Sequence, residues 1–186
     1  MVRPERHTYQ VKVTLKGSEP PIWRRLLVDS RLRLDQFHLV LQVAMGWENQ
    51  HLHQFESNGV VFEPRIPDEP PRGKNEAKYR LGDVLVQEED RMIYWYDFGD
   101  DWIHEIVLEK ILPFDRKAPR ARVIEGKRAC PPEDVGGIGG YEYFLEARRD
   151  PAHPDHEHMM EWGGEEFDPE AFQPEQPNAL LKKFLK

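Results

Sequence analysis

Strict alternation sets the terms for the start of this chain. In TYQVKVTL, residues 8–15, Tyr9, Val11, Val13 and Leu15 occupy every second position, with Thr8, Gln10, Lys12 and Thr14 between them. Successive side chains of a strand point to opposite faces, so the segment reads as a strand buried on one side. The turn-forming GSEPP follows, and IWRRLLV, residues 22–28, is predicted to return as its antiparallel partner. The period then changes. Leu34, Phe37, Leu41 and Ala44 recur at helical spacing and Gly46 supplies a stop, which predicts a helix over 34–45.

Further along, HLHQFE reads as a strand ending at Asn58-Gly59, with Val60 to Phe62 returning as a hairpin. Residues 64–80 are rich in proline and charge and are expected to form an exposed loop. Arg91 to Phe98 and Trp102 to Ile111 form the strongest strand pair, and Val123 to Glu125 suggests an edge strand. Helices are expected over 141–148, 156–162 and 179–185, the last with Asn178 as its N-cap. Strands early and helices late, without βαβ alternation, predict an α+β fold: a single domain over 1–186 with its core at about 8–180. In it a mostly antiparallel twisted sheet carries one early helix and a helical C-terminal third packed on it.

Composition narrows the class. With 39% hydrophobic and 11% aromatic residues the chain can build a core, and no run approaches the length of a membrane span. A soluble, cytoplasmic protein is the expectation, with no membrane partner; the single Cys130 cannot form an internal disulfide. The net charge of -8 comes entirely from residues 130–186, which hold 13 acidic and 5 basic residues. The stretch from Lys110 to Arg128 is locally basic. With Arg24, Arg25, Arg31 and Arg33 it offers a possible surface for a protein or nucleic-acid partner, although the acidic remainder would repel a polyanion.

The densest chemistry lies in YDFGDDWIHEI, residues 96–106. A turn of two or four residues there places Asp97 opposite Trp102 and Trp95 opposite His104. Asp97 and His104 then become diagonal neighbours on an otherwise apolar face. Such a pair would serve as a catalytic dyad, or would satisfy itself inside the core. His51 and His53 share one side of their strand, a spacing that suits a divalent metal such as Zn²⁺, with His104 as a third ligand. Trp95 and Trp102 are candidates for stacking on a ligand. Cys130 lacks a CxxC partner. Glu133 and Asp134 precede GGIGG, which has neither the Lys nor the Ser/Thr of a phosphate loop. HPDHEH, residues 153–158, collects three histidines among acids.

Taken in order, YQVKVTLKGSEPPIWRR, LDQFHLVLQVAMGWENQHLHQF, YDFGDDWIHEI, RACPPEDVGGIGGY and DPAHPDHEHMMEWGGEEFDPEAF resemble the plasmid pRiA4b ORF-3-like family. The resemblance implies a single α+β domain carried on plasmids or as a passenger of mobile elements, and it supplies no established reaction. Residues 64–80 match least and look like a variable insertion. It also implies that His51, His53, Asp97, His104, Cys130 and Asp134 line one cleft beneath the CPPED turn.

Three readings of function follow. The first is a non-catalytic binding or accessory module linked to mobile elements. The second is a metal-dependent hydrolase or nuclease, with Asp97 and His104 in catalysis and His51, His53 and His104 as ligands. The third is a structural or toxin-antitoxin-like partner that docks through its acidic helices.

Overall fold

A computed structural model describes residues 5–185; residues 1–4 and 186 lie outside it. The strands are β1 His7–Leu15, β2 Ile22–Asp29, β3 His53–Ser57, β4 Val60–Glu63, β5 Lys74–Asn75, β6 Arg91–Tyr96, β7 Trp102–Pro113 and β8 Ala121–Lys127. The helices are α1 Leu34–Met45, the one-turn α2 Leu81–Val84, α3 Gly137–Arg149, α4 His156–Gly163 and α5 Glu175–Phe184. One sheet joins all eight strands in the order β5-β4-β3-β6-β7-β1-β2-β8, and every pairing except β4 with β5 is antiparallel. The expected α+β class is therefore observed.

Alternation decides which face is covered. Val11 and Val13 of β1, Ile22 and Leu26 of β2, Tyr94 of β6 and Trp102 and Ile106 of β7 are fully enclosed. Helix α1 lies across this face: Phe37 stacks on Phe55, and His38 and Gln42 both bond the Tyr94 hydroxyl. It ends where Gly46, at φ 111°, adopts the left-handed conformation that closes a helix, its N–H bonding the Gln42 carbonyl at 2.9 Å.

One position in this face is charged. Arg24, between Ile22 and Leu26, is 1% exposed. Its Nε donates to the Ala44 carbonyl, one terminal nitrogen to the Trp23 and Lys127 carbonyls, and the other to the Met45 carbonyl at 3.4 Å; its guanidinium lies 3.7 Å from the Phe172 ring centre. Arg24 is thus no part of a contact surface. The neighbouring Arg25 bridges Glu109 and Glu125, and Arg33 pairs with Asp35.

Four details depart from the sequence reading. The hairpin between β6 and β7 has the odd five-residue loop 97–101, so Tyr96 faces Trp102 and Tyr94 faces His104. Moving from an even loop to an odd one shifts the register by one residue, which puts Trp95 on the opposite face and Asp97 in the turn. Segment 64–80 is not wholly exposed: it adds β5 and a 3₁₀ turn at Glu76–Lys78, and Glu76 is 3% exposed. GGIGG starts α3 instead of forming a loop before it. A side chain at Gly137 would put its Cβ 2.4 Å from the Asp100 carbonyl oxygen, so glycine here allows α3 to sit against the 97–101 loop. Finally, α5 begins at Glu175, so Asn178 lies inside it rather than capping it. Its amide donates to the Val123 carbonyl at 2.8 Å and accepts from the Val123 N–H at 2.7 Å, clamping α5 to the edge strand β8.

Replacing Arg24 with Ala leaves buried carbonyls unpaired and is expected to cost about 3 kcal/mol or more, whereas Asn178→Ala should cost about 1–3 kcal/mol. Urea denaturation measures both. A change below about 0.5 kcal/mol for Asn178→Ala, the range of an ordinary surface substitution, would show that the clamp contributes nothing.

Candidate metal centre

Three loops meet at one end of the sheet: residues 46–52 after α1, 97–101 between β6 and β7, and 128–136 before α3. The first is held from both sides, because the Glu48 N–H donates to Glu133 Oε1 at 2.7 Å and the Gln50 N–H donates to the Tyr96 hydroxyl at 3.0 Å. The second is joined to the first by the Asp97 N–H, which bonds the Leu52 carbonyl at 2.9 Å, and to the third by Asp100, whose carboxylate accepts the Gly136 N–H at 3.0 Å. Asp97 is left-handed, at φ 58°, and its Oδ1 accepts the Gly99 N–H at 2.9 Å. Asp tolerates this conformation better than most residues, and the local bond fixes its carboxylate.

The junction gathers one imidazole and three carboxylates. His51 Nε2 lies 3.1 Å from Asp134 Oδ1, 3.6 Å from Asp97 Oδ2 and 3.6 Å from Glu133 Oε2. His51, Asp97 and Asp134 each offer a ligand atom, and these all fall within 4.8 Å of one another. His51 Nε2 and Glu133 Oε2 are sealed from solvent without a hydrogen bond. Glu133 uses only Oε1, which accepts from Glu48 and from the Tyr96 hydroxyl at 3.0 Å. Its side chain is 10% exposed, Asp97's is 9% and Asp134's is 65%. A buried polar atom without a partner is costly, and here two such atoms, His51 Nε2 and Glu133 Oε2, lie 3.6 Å apart.

The other histidines form closed networks. His104 is fully enclosed; its Nε2 accepts from Trp47 Nε1 at 3.2 Å, so the proton sits on Nδ1, which donates to the Tyr94 carbonyl at 3.2 Å. Burial pushes its pKa down to about 4. His53 bonds Glu76 at 2.9 Å and stacks in parallel on His38, with ring centres 3.5 Å apart. His38 accepts from the Tyr94 hydroxyl and donates to Asn49 Oδ1, and burial beside His53 brings its pKa to about 3.

Of the sequence-predicted site, then, His51, Asp97 and Asp134 converge. His104 has both ring nitrogens occupied, and His53 is directed to Glu76. Trp102 packs on Trp47 in the core, with ring centres 5.0 Å apart, while Trp95 meets Phe98 edge-on in the absence of His104 from its face. Cys130 is half-buried, and desolvation of its thiol drives its pKa well up and keeps it protonated. Glu133 and Glu76 were absent from the predicted set. The only signal for Glu133 was its place beside Asp134, and for Glu76 there was none, since it sits in the least regular part of the sequence.

Residues 7–176 match the family model described as plasmid pRiA4b ORF-3-like protein. The chain belongs to this family. It is 41% identical over 160 residues, 83% of this chain and 80% of the relative, to uncharacterized protein y4hQ of Sinorhizobium fredii (strain NBRC 101917 / NGR234). The crystal structure of a protein of unknown function, MM3350 from Methanosarcina mazei Go1, superposes with a TM-score of 0.83 at 36% identity, covering 92% of this chain and 98% of that one. Among the described residues no helix is long and apolar enough to cross a membrane.

The low values at His38 and His104 fix a pH dependence. In the unfolded chain a histidine ionises near about 6.5. Below that pH the unfolded state takes up protons that the folded state refuses. The stabilisation is therefore complete above about pH 6.5 and is lost as pH falls through the folded values, about 4 for His104 and about 3 for His38. Urea midpoints are expected to fall across that window, and nitrogen NMR shifts should show His104 as the neutral Nδ1–H form at a pH of about 5.5. An imidazole at His104 that titrates near its ordinary value would contradict the closed network.

Proposed function

We propose that this domain is a metal-dependent binding module whose ion is held by His51, Asp97 and Asp134, with Glu133 beside them. The observation that carries the reading is the focus of unpartnered atoms: His51 Nε2 and Glu133 Oε2 are buried, unbonded and 3.6 Å apart. Around an ion bonded at about 2.0–2.2 Å, adjacent ligand atoms stand about 3–3.5 Å apart, close to the 3.1 to 3.6 Å separations from His51 Nε2. One imidazole with several carboxylates suits Zn²⁺ or Mn²⁺. Two of the three carboxylates are fixed before an ion arrives, by Gly99 and by Tyr96 with Glu48. Little ordering remains to oppose binding.

The exposure of Asp134 favours a second reading, a metal-dependent hydrolase. An ion open on that side could hold a water and lower its pKa toward about 7. A nucleic-acid partner draws less support from the basic stretch. Within it Arg120 pairs with Asp29 at 3.4 Å, and Arg128 is tied to Glu170 and to the Pro20 carbonyl.

Elemental analysis and calorimetry with Zn²⁺ and Mn²⁺ test the site. The wild type should bind one equivalent, with thermal stability that rises with the metal and is reversed by chelator. His51→Ala and Asp97→Asn should weaken binding by at least about a hundredfold, more than loss of an outer partner costs. The exposed-turn variant Asp101→Asn should bind like wild type. Absence of binding to either ion in the wild type would reduce the cluster to an ion pair of His51 with its carboxylates.

A further inference from the structure

Beyond the cluster, Asp134 belongs to a second feature. A cavity of about 240 Å³ opens between α3 and α4, lined by Asp134, Val135, Gly140, Tyr143, His158, Met159 and Trp162. Tyr143 is 42% exposed and Trp162 is 45% exposed, both unusual for rings of this size. Each is held in place from behind. Trp162 stands edge-on to Phe144 with ring centres 5.7 Å apart, Tyr143 stands edge-on to His153 at 5.2 Å, and its hydroxyl bonds Asp155. The aromatic surface is thus presented to solvent on a fixed frame.

The segment that forms this surface is strongly acidic. Residues 133–166 contain ten acidic side chains and two basic ones, Arg148 and Arg149. Arg148 donates to the carbonyls of Met159, Glu165 and Phe167 and lies against Phe144 and Phe167, so it closes the end of α4 and does not line the cavity. Among the described residues no lysine or arginine lines it. A divalent ion at the cluster would leave His51, Asp97, Glu133 and Asp134 with a residual negative charge. Two aromatic faces, a thioether and a negative rim together repel phosphates and attract a weakly hydrated cation, whose charge the ring faces stabilise.

We propose that the cavity between α3 and α4 binds an organic cation, an alkylammonium group, beside the metal centre. The inference rests on the metal reading through Asp134, which serves both features. The cation lies over Tyr143 and Trp162 and the rest of the ligand runs toward the ion. Among the described residues phosphate esters find no lysine or arginine in the lining to pair with.

Choline is a suitable probe, with dimethylbutanol as its neutral carbon isostere and phenyl phosphate as an anionic aromatic. Calorimetry and tryptophan fluorescence on the Zn²⁺-loaded full chain should show choline binding about tenfold more tightly than the isostere, because the shape is shared and only the charge differs. Added salt should weaken it. Trp162→Ala and the milder Tyr143→Leu should each reduce choline affinity several-fold while leaving the Zn²⁺ stoichiometry at one. Equal binding of choline and its isostere, tighter binding of phenyl phosphate, or no choline binding to the Zn²⁺-loaded protein would overturn the inference. The metal reading fails separately: if the wild type takes up no metal yet binds choline in a Trp162-dependent way, the cation site stands and the metal centre falls.

Discussion

A buried guanidinium holds this architecture together. Arg24 occupies a core position of β2, faces no carboxylate, and is neutralised by main-chain carbonyls, two of them at the last turn of α1. The end of a helix carries partial negative charge, so a cation placed there is favourable where the same charge among apolar side chains would not be. Burial pulls its pKa down to about 10, which still leaves it charged at neutral pH. Through this one side chain β2, β8, the end of α1 and Phe172 are fixed together. The end of α1 in turn sets the course of residues 46–52, and hence where His51 stands.

The elements were legible because period and stop signals agreed. Residues 8–15 alternate without exception, 34–45 carry a helical stripe closed by Gly46, and Asn58 and Gly59 both take the positive φ of a two-residue hairpin turn. The register of β6 on β7 was not legible. Hydrophobic pattern fixes which residues alternate but not how many sit in the loop, and one additional loop residue exchanges the faces. Arg24 and Asn178 were misplaced for a related reason. A polar residue in an apolar stripe reads as a surface feature unless its partners are known, and apart from the Trp23 carbonyl these hydrogen-bond partners lie 20 to 103 residues away in sequence.

The site was legible in part, and the division among the histidines is physical. His51 and His53 are two residues apart, and strand geometry treats them alike. What separates them is the chain that arrives from elsewhere. The segment after β5 delivers Glu76 to His53, and the turn before α3 delivers Glu133 and Asp134 to His51. A single carboxylate in hydrogen-bond contact satisfies an imidazole. Several carboxylates around one nitrogen, none in bonding geometry, leave it available. Availability therefore depends on the number and distance of incoming groups, which no local motif records.

The sheet order also bears on how the chain reaches this form. β1 sits between β2 and β7, so Val11 pairs with Leu26 on one side and Leu108 on the other. The first pairing closes a short loop; the second must wait until more than half of the chain has left the ribosome. Until then β1 and β2 are a lone hairpin, an arrangement of marginal stability in water, with one apolar face uncovered. A strand that ends up interior to the sheet thus spends a long interval as an unprotected edge. The polar residues Thr8, Gln10, Lys12 and Thr14 on its other face do more than meet solvent in the native fold, because they keep half of that exposed ribbon soluble during the delay.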